Sequence, residues 1–340
     1  MEVPYGGTGL SAMRPLVHTR QVSVNFNSEV NLAQLRRRGR HLLRSAEWNI
    51  AHMLDDQQFT PGAQSLHRGL RLLDVVAVMA RDQPGGVTLA DLARTTGLPK
   101  SSLHRLLLAL SEAGYVERLQ PGGTYRLGVQ AQVLAQLATS SHDTLRAAAT
   151  DSLIRLAELS EDTTFLTVRQ GSYGLCLRRE EGSGLIRNNA MGVGDRHPLG
   201  VGAGSLAMLA ELPDLEVEEM LKRNAHINAR HYPLIDSQKL RDLVAQSRRD
   251  GYATNPGLAA PGSWAIGVAI CDEDGSPVAA LSIASIEQRL NGPRRVALVE
   301  ALHAEAALLK DFLASVPTGS AGSGRPAGSI TTTKGHRPRI

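Results

Sequence analysis

The chain has 340 residues, 42% of them hydrophobic and 21% charged, with a formal net charge of +4. That length suits two domains, each able to bury a core, and the lack of a run of ~18 apolar residues argues against a membrane span. The opening "MEVPYGGTGLSAMRPLVHTR" has no apolar stretch of the kind a secretory signal needs. Two cysteines, Cys176 and Cys271, far apart and without a CxxC, rule out a disulfide scaffold and read as reduced thiols in a cytoplasmic protein.

The charge is unevenly spread. Residues 61–128 carry eight Lys and Arg against five Asp and Glu, whereas residues 129–314 carry 18 against 23. A basic front on an acidic body suits a front that faces a polyanion. Residues 1–63 show no sustained period; the basic stretch "LRRRGRHLLR" (35–44) stands alone in what reads as a disordered extension. The tail 316–340, rich in Gly, Ser, Pro and Thr with four cations, cannot build a core and reads as a disordered basic tail.

Ordered sequence begins at "SLHRGLRLLDVVAVMA" (65–80), where Ser65 is a candidate N-cap and Leu66, Leu70, Leu73 and Ala77 recur at helical spacing. "DQPGG" (82–86) breaks it. "TLADLART" (88–95) starts a second helix, with Thr88 as N-cap and Asp91 at the third position. Gly97 stops that helix after two turns, and Pro99 opens a third. In the third helix Leu103, Leu106, Leu107 and Leu110 form one apolar stripe, with Ser101, His104, Arg105 and Leu108 on the opposite side. Gly114 ends it, "YVERL" (115–119) and "TYRLG" (124–128) read as strands, and "QPGG" (120–123) is the turn between them. Helix, short helix, helix and hairpin is the order of a winged helix-turn-helix, in which Tyr125 is expected in the core.

The remainder mixes helical patterns at about 142–160, 203–224, 236–250 and 293–315 with strands at 163–170, 173–179, 264–271 and 277–285. "DEDGS" turns the last two strands into a hairpin, and the pattern implies an α+β domain.

The first two turns of the third helix place Lys100, Ser101, Ser102, His104 and Arg105 where a helix in the major groove reaches base edges and phosphates. Arg105 suits bidentate reading of guanine, while Lys100 and the serines suit phosphate. Ser101 serves either DNA or the helix start, and His104 either the groove or the wing. Arg126, on the hairpin, is placed for phosphate or a minor groove. "NNAMGVGDRHPLGVGAGS" (188–205) is glycine-rich enough for its amides to approach an anion. Its "GVGAGS" lacks the spacing and preceding strand of a dinucleotide loop. His197 within it suits either a carboxylate contact or loop anchoring. "SHD" (141–143) has triad letters on adjacent positions that point apart, and His226 and His231 are wrongly spaced for a metal pair on one helix face. No catalytic residue, metal ligand or cofactor motif is assigned.

The stretch "TLADLARTTGLPKSSLHRLLLALSEAGYVER" with the flanking "SLHRGLRLLDVV" and "YRLG" closely resembles the N-terminal domain of the isocitrate lyase regulator (IclR) family. "HPLGVGAGSLAMLA" (197–210), "RRDGYATNPG" (248–257) and "IGVAICDEDGSPVAALSIASIEQRL" (266–290) resemble its C-terminal part, in the same order. The resemblance implies a bacterial transcription factor: a winged helix-turn-helix (64–128), a linker helix (129–145) and a GAF-like α/β effector-binding domain (146–315). It implies a small carboxylic or aromatic acid as effector, a homodimer or homotetramer, and a palindromic double-stranded operator. By position in the family pattern, Gly192, Val193, Asn255, Trp264, Ala265 and Ser282 are expected at the effector. Two departures stand out: Gly204-Ser205-Leu206 replaces the common Gly-Lys-Ala, and Asn255-Pro256-Gly257 replaces an acidic residue common after the Gly-Tyr pair. The alternatives are a metabolite-binding enzyme with a vestigial DNA domain and a winged-helix interaction module without sequence preference.

Overall fold

The computed structural model describes residues 62–81, 83–138, 141–185 and 191–315. Residues 1–61 of the expected extension, the expected tail 316–340 and residues 188–190 of the glycine-rich stretch lie outside the described residues.

The first unit is α1 (Gln64–Ala80), α2 (Leu89–Thr96), α3 (Lys100–Glu112) and the antiparallel hairpin β1 (Val116–Arg118) and β2 (Tyr125–Leu127). Thr88 caps α2 by accepting the Asp91 N–H at 3.1 Å. Gly97 closes α2 in the left-handed conformation, at φ 67°, its N–H donating to the Ala93 carbonyl. Ser65 is not a cap: α1 begins one residue earlier, behind Ala63, and has no side-chain cap. Its buried face is also shifted from the expected spacing. Leu72, Val75, Val76, Val78 and Met79 pack with Leu92, Leu103, Leu107, Val116 and Tyr125, while Leu66 and Leu70 stay exposed.

The segment expected as one linker helix is divided between α4 (Val129–Leu137) and α5 (Ser141–Ser160). Ala138 leaves the first of these with extended backbone, in a hydroxyl-rich run, "ATSS", with weak helix propensity.

The second unit is built on a six-stranded antiparallel sheet in the order β5-β4-β3-β8-β7-β6. Its strands are β3 (Thr163–Gln170), β4 (Tyr173–Glu180), β5 (Arg196–Pro198), β6 (Ala253–Pro256), β7 (Trp264–Cys271) and β8 (Pro277–Ser285). On one face, Leu166, Val168, Ile266, Val268, Ile270, Leu281 and Ile283 pack against α5 and the last helix, here α9 (Gly292–Ser315). The other face carries α6 (Ala203–Ala210), on which α7 (Asp214–His231) and α8 (Ser237–Asp250) build a second core. The helix expected over 203–224 is therefore two, because Pro213 has no N–H to continue α6 and instead stands at the N-cap of α7.

Small residues allow α6 to lie close to the sheet. A Cβ on Gly267 would sit 2.9 Å from the backbone of Ala203 and Gly204. Between the layers, Asp162 is buried at the start of β3 and accepts from Ser285 Oγ (2.6 Å) and Arg289 Nε (3.0 Å), with Arg294 beside it. This joins the ends of β3 and β8 to the first turn of α9.

Candidate nucleic-acid interface and effector site

Lys100, Ser101, His104 and Arg105 are exposed along the first two turns of α3, with Ser102 half-buried between them. Leu103 and Leu107 on the opposite side are fully buried against α1 and α2. The leucines thus fix the helix and leave its polar turns outward, as groove entry requires. On the hairpin, Arg126 Nε donates to Glu117 across the strands, so its guanidinium is partly committed within the wing. Arg118, which sequence reasoning passed over, lies against the tip: a Cβ on Gly123 would meet its guanidinium at 3.0 Å. Tyr125 is buried.

The expected effector residues separate by strand parity. Ala265 pairs with Ala284, Gly267 with Ser282, Phe165 with Ser282 and Asn255 with Ala265, which places these side-chain positions on one sheet face. Trp264 alternates to the other face with Ile266 and packs against the α5 and α9 core. It is not brought together with Ser282 and Ala265.

On the shared face α6 covers Thr167, Gly267 and Ala280, and the remainder forms a separate cluster. Phe165, Cys176 and Ala284 are buried there, with Ala265 and Met191 against them. Ser282 lies between the two regions: a Cβ on Gly204 of α6 would be 3.4 Å from both Ser282 Oγ and Thr167 Oγ1. Thr167 Oγ1 is buried and has no hydrogen-bond partner among the described residues. Arg179 lies over the Phe165 ring at 6.0 Å and pairs with Glu181 at 2.9 Å. Asn255 is buried, its Oδ1 accepting the Leu258 N–H at 3.0 Å. Ser205, at the departure from Gly-Lys-Ala, is also buried, with its Oγ 3.5 Å from the Pro198 carbonyl. A lysine there would need to find a path out of the packed layer.

The segment over this cluster turns sharply. Asp195 is fully buried; its N–H donates to the Gly192 carbonyl, and its Oδ2 accepts the Gly192 N–H at 2.6 Å. Val193 at the bend is exposed. Burial, and then the Asp195 charge, hold the Cys176 thiol far above its ordinary pKa, so it stays protonated. His197 is buried, with Nδ1 2.8 Å from the Tyr232 hydroxyl, and so anchors the start of the α6 connection. Among the described residues, no cluster of His, Cys, Asp or Glu could hold a metal, and no helix is long and apolar enough to cross a membrane.

Sequence reasoning missed Phe165, Thr167, Cys176 and Arg179. Their signal was available only through pairing: β3 alternates Phe165 and Thr167 against Leu166 and Val168, but which set faces the site depends on β8.

The family model of the IclR helix-turn-helix domain matches residues 65–120, and that of the bacterial transcriptional regulator IclR C-terminal matches residues 136–310. The chain belongs to the IclR family. It is a DNA-binding transcriptional regulator, and its fold is a winged helix-turn-helix followed by the family's α/β domain. The acetate operon repressor of Salmonella typhimurium is 30% identical over 237 residues, covering 69% of this chain and 84% of that protein. An IclR homolog from Microbacterium hydrocarbonoxydans, solved in complex with 4-hydroxybenzoate, is 25% identical, with a TM-score of 0.57 over 81% of this chain and 100% of that one. The IclR regulator of Alicyclobacillus acidocaldarius shares the fold, at 22% identity and a TM-score of 0.59 over 74% of this chain and 98% of that one. The family is regulatory, and the curated relatives are named transcriptional repressors or regulators rather than enzymes.

Proposed function

We propose that this IclR-family protein is an operator-specific cytoplasmic regulator whose DNA affinity is set by a small organic acid. Its effector domain, 146–315, follows the winged helix-turn-helix, 64–128, by way of the linker segment. The observation that carries the reading is the separate cluster of Phe165, Cys176, Ala265, Ala284 and Met191, distinct from the two large cores. A phenyl ring among small side chains suits a flat ring or a short acid. The buried hydroxyls of Thr167 and Ser282 and the Arg179 guanidinium suit its carboxylate. The 4-hydroxybenzoate held by the Microbacterium relative supports an acid of this class.

Lys100, Ser101, Ser102, His104 and Arg105 form the reading head, with Arg126 shared between Glu117 and DNA. Leu66 and Leu70 of α1 and Val129, Val133, Leu134 and Leu137 of α4 are exposed, in keeping with a second copy that covers them. A homodimer of this kind meets a palindromic operator with two reading heads.

Titration calorimetry with 4-hydroxybenzoate and short aliphatic and aromatic acids tests the effector site. Ser282→Ala is expected to lose about one hydrogen bond, ~1 kcal/mol or roughly fivefold in affinity, with acid-free operator binding intact. An unchanged titration in Ser282→Ala refutes its role.

A further inference from the structure

The segment that closes over the apolar cluster is held from the DNA-binding unit. Arg81, immediately after the last residue of α1, donates from Nη1 to Asp195 Oδ1 at 2.8 Å and to the Val193 carbonyl at 3.0 Å. The Asp195 carboxylate then accepts the Gly192 N–H with its other oxygen. One guanidinium and one carboxylate therefore tie the end of α1 to Gly192, Val193 and Asp195 of the bend. Gly192 lies directly against the same guanidinium. A Cβ there would lie 2.3 Å from Arg81 Cζ and Nη1, and 2.5 Å from Nη2, so the space a side chain would fill is taken by the guanidinium.

The charge of Arg196, at the start of β5, also acts on Asp74 of α1. Asp74 lies seven residues before Arg81, which is two helical turns and the same face of α1. Asp74 reaches solvent, yet partial desolvation by its packed neighbours raises its pKa, and the Arg196 charge opposes that rise. Thus an acid on α1 and a base just after it lie opposite Arg196 at the start of β5 and Asp195 just before it, with Arg81 and Asp195 in direct contact. The path onward is short in both directions. Met191 of the segment packs on Phe165 and Cys176. Val75, Val76 and Met79 of α1 pack in one core with Leu103 and Leu107 of α3.

We propose that Arg81 is a positioning residue, a latch that fixes the winged-helix unit to residues 192–195, so that an acid reshaping this segment reorients the reading head. Only the regulatory consequence rests on the effector reading above; the latch itself does not. A ligand can shift DNA affinity only by favouring one arrangement of the two units, and the latch supplies two such arrangements, closed and released.

Hydrogen–deuterium exchange on the full chain tests the latch without any ligand. Arg81→Met keeps an unbranched side chain but removes the donor. It is expected to speed exchange of the Gly192 and Asp195 amides at least tenfold, with a circular-dichroism spectrum like that of the wild type. Gly192→Ala, which adds one methyl where the guanidinium lies, is expected to loosen the end of α1 by the same route. Unchanged exchange in both variants overturns the latch. If acids bind and shift operator affinity while Arg81→Met leaves exchange unaltered, the latch alone fails. If exchange rises as expected while no acid binds, the effector reading fails and the latch stands.

Discussion

Replacement of Arg105 by alanine separates reading from attraction. The side chain is exposed in the second turn of α3, while the helix is held by Leu103 and Leu107 on its far side. Truncation should therefore change stability by no more than about 0.5 kcal/mol. A bidentate contact to guanine discriminates by about 1–3 kcal/mol, and a two-fold operator loses it in both half-sites, about 2–6 kcal/mol in all. A non-specific duplex loses only one screened cation per protomer, with a matching decrease of about 0.9 per phosphate contact in the salt slope. Fluorescence anisotropy with an operator selected from random DNA and a scrambled duplex, each at several salt concentrations, measures the difference. The expected result is a large loss on the operator and a small one on the scrambled duplex. Equal losses on both would show that Arg105 contributes charge and reads no base.

Three further expectations concern the scaffold. Asp162→Ala leaves Arg289 and Arg294 facing an empty buried position, and should cost about 3 kcal/mol in urea unfolding, at the low end for a broken pair because both cations reach water. A loss below 0.5 kcal/mol would mean that the network contributes little. Gly267→Ala forces a methyl against the α6 backbone and should cost about 1–3 kcal/mol, read from the same denaturation curves. Asp74 gives a pH signature. Its side chain still reaches solvent, but the packed residues around it partly desolvate it and raise its folded pKa, so between the ordinary carboxylate range and that raised value the folded chain holds a proton that the unfolded chain has released. Its contribution to stability therefore falls as pH rises through this window, and Asp74→Asn should flatten the fall. An identical pH profile in the variant would refute the assignment.

Much of the fold was legible because local chemistry and tertiary packing agree. β3, β7 and β8 run where their apolar runs and turns place them, and Thr88 and Gly97 bound α2 as their chemistry requires. β5 and β6 escaped notice because three- and four-residue edge strands, ending at Pro198 and Pro256, carry too little period to register. The face of Trp264 was readable, yet went unread: Ile266, Val268 and Ile270 share its parity and form the bulky side of β7, while Ala265, Gly267 and Ala269 form the small one. What no local pattern holds is the meeting of Arg81 with Asp195, 114 residues apart. Each looks like an ordinary charge until the fold puts one against the other.

That meeting bears on how much energy regulation needs. A tenfold change in operator affinity corresponds to about 1.4 kcal/mol of coupling. A single charge-assisted hydrogen bond to a buried carboxylate is worth about 1.5–3 kcal/mol, so a latch as small as Arg81 on Asp195 suffices if the effector changes its strength. Rearrangement of the large cores is then unnecessary, and would in any case cost far more than a small acid can supply. The glycine at position 192 fits the same reasoning. Its backbone is not in the left-handed region, and the space beside its Cα is filled by the guanidinium. A side chain in its place would have to displace the flexible end of Arg81, and so would alter the contact between the two units before it altered the fold.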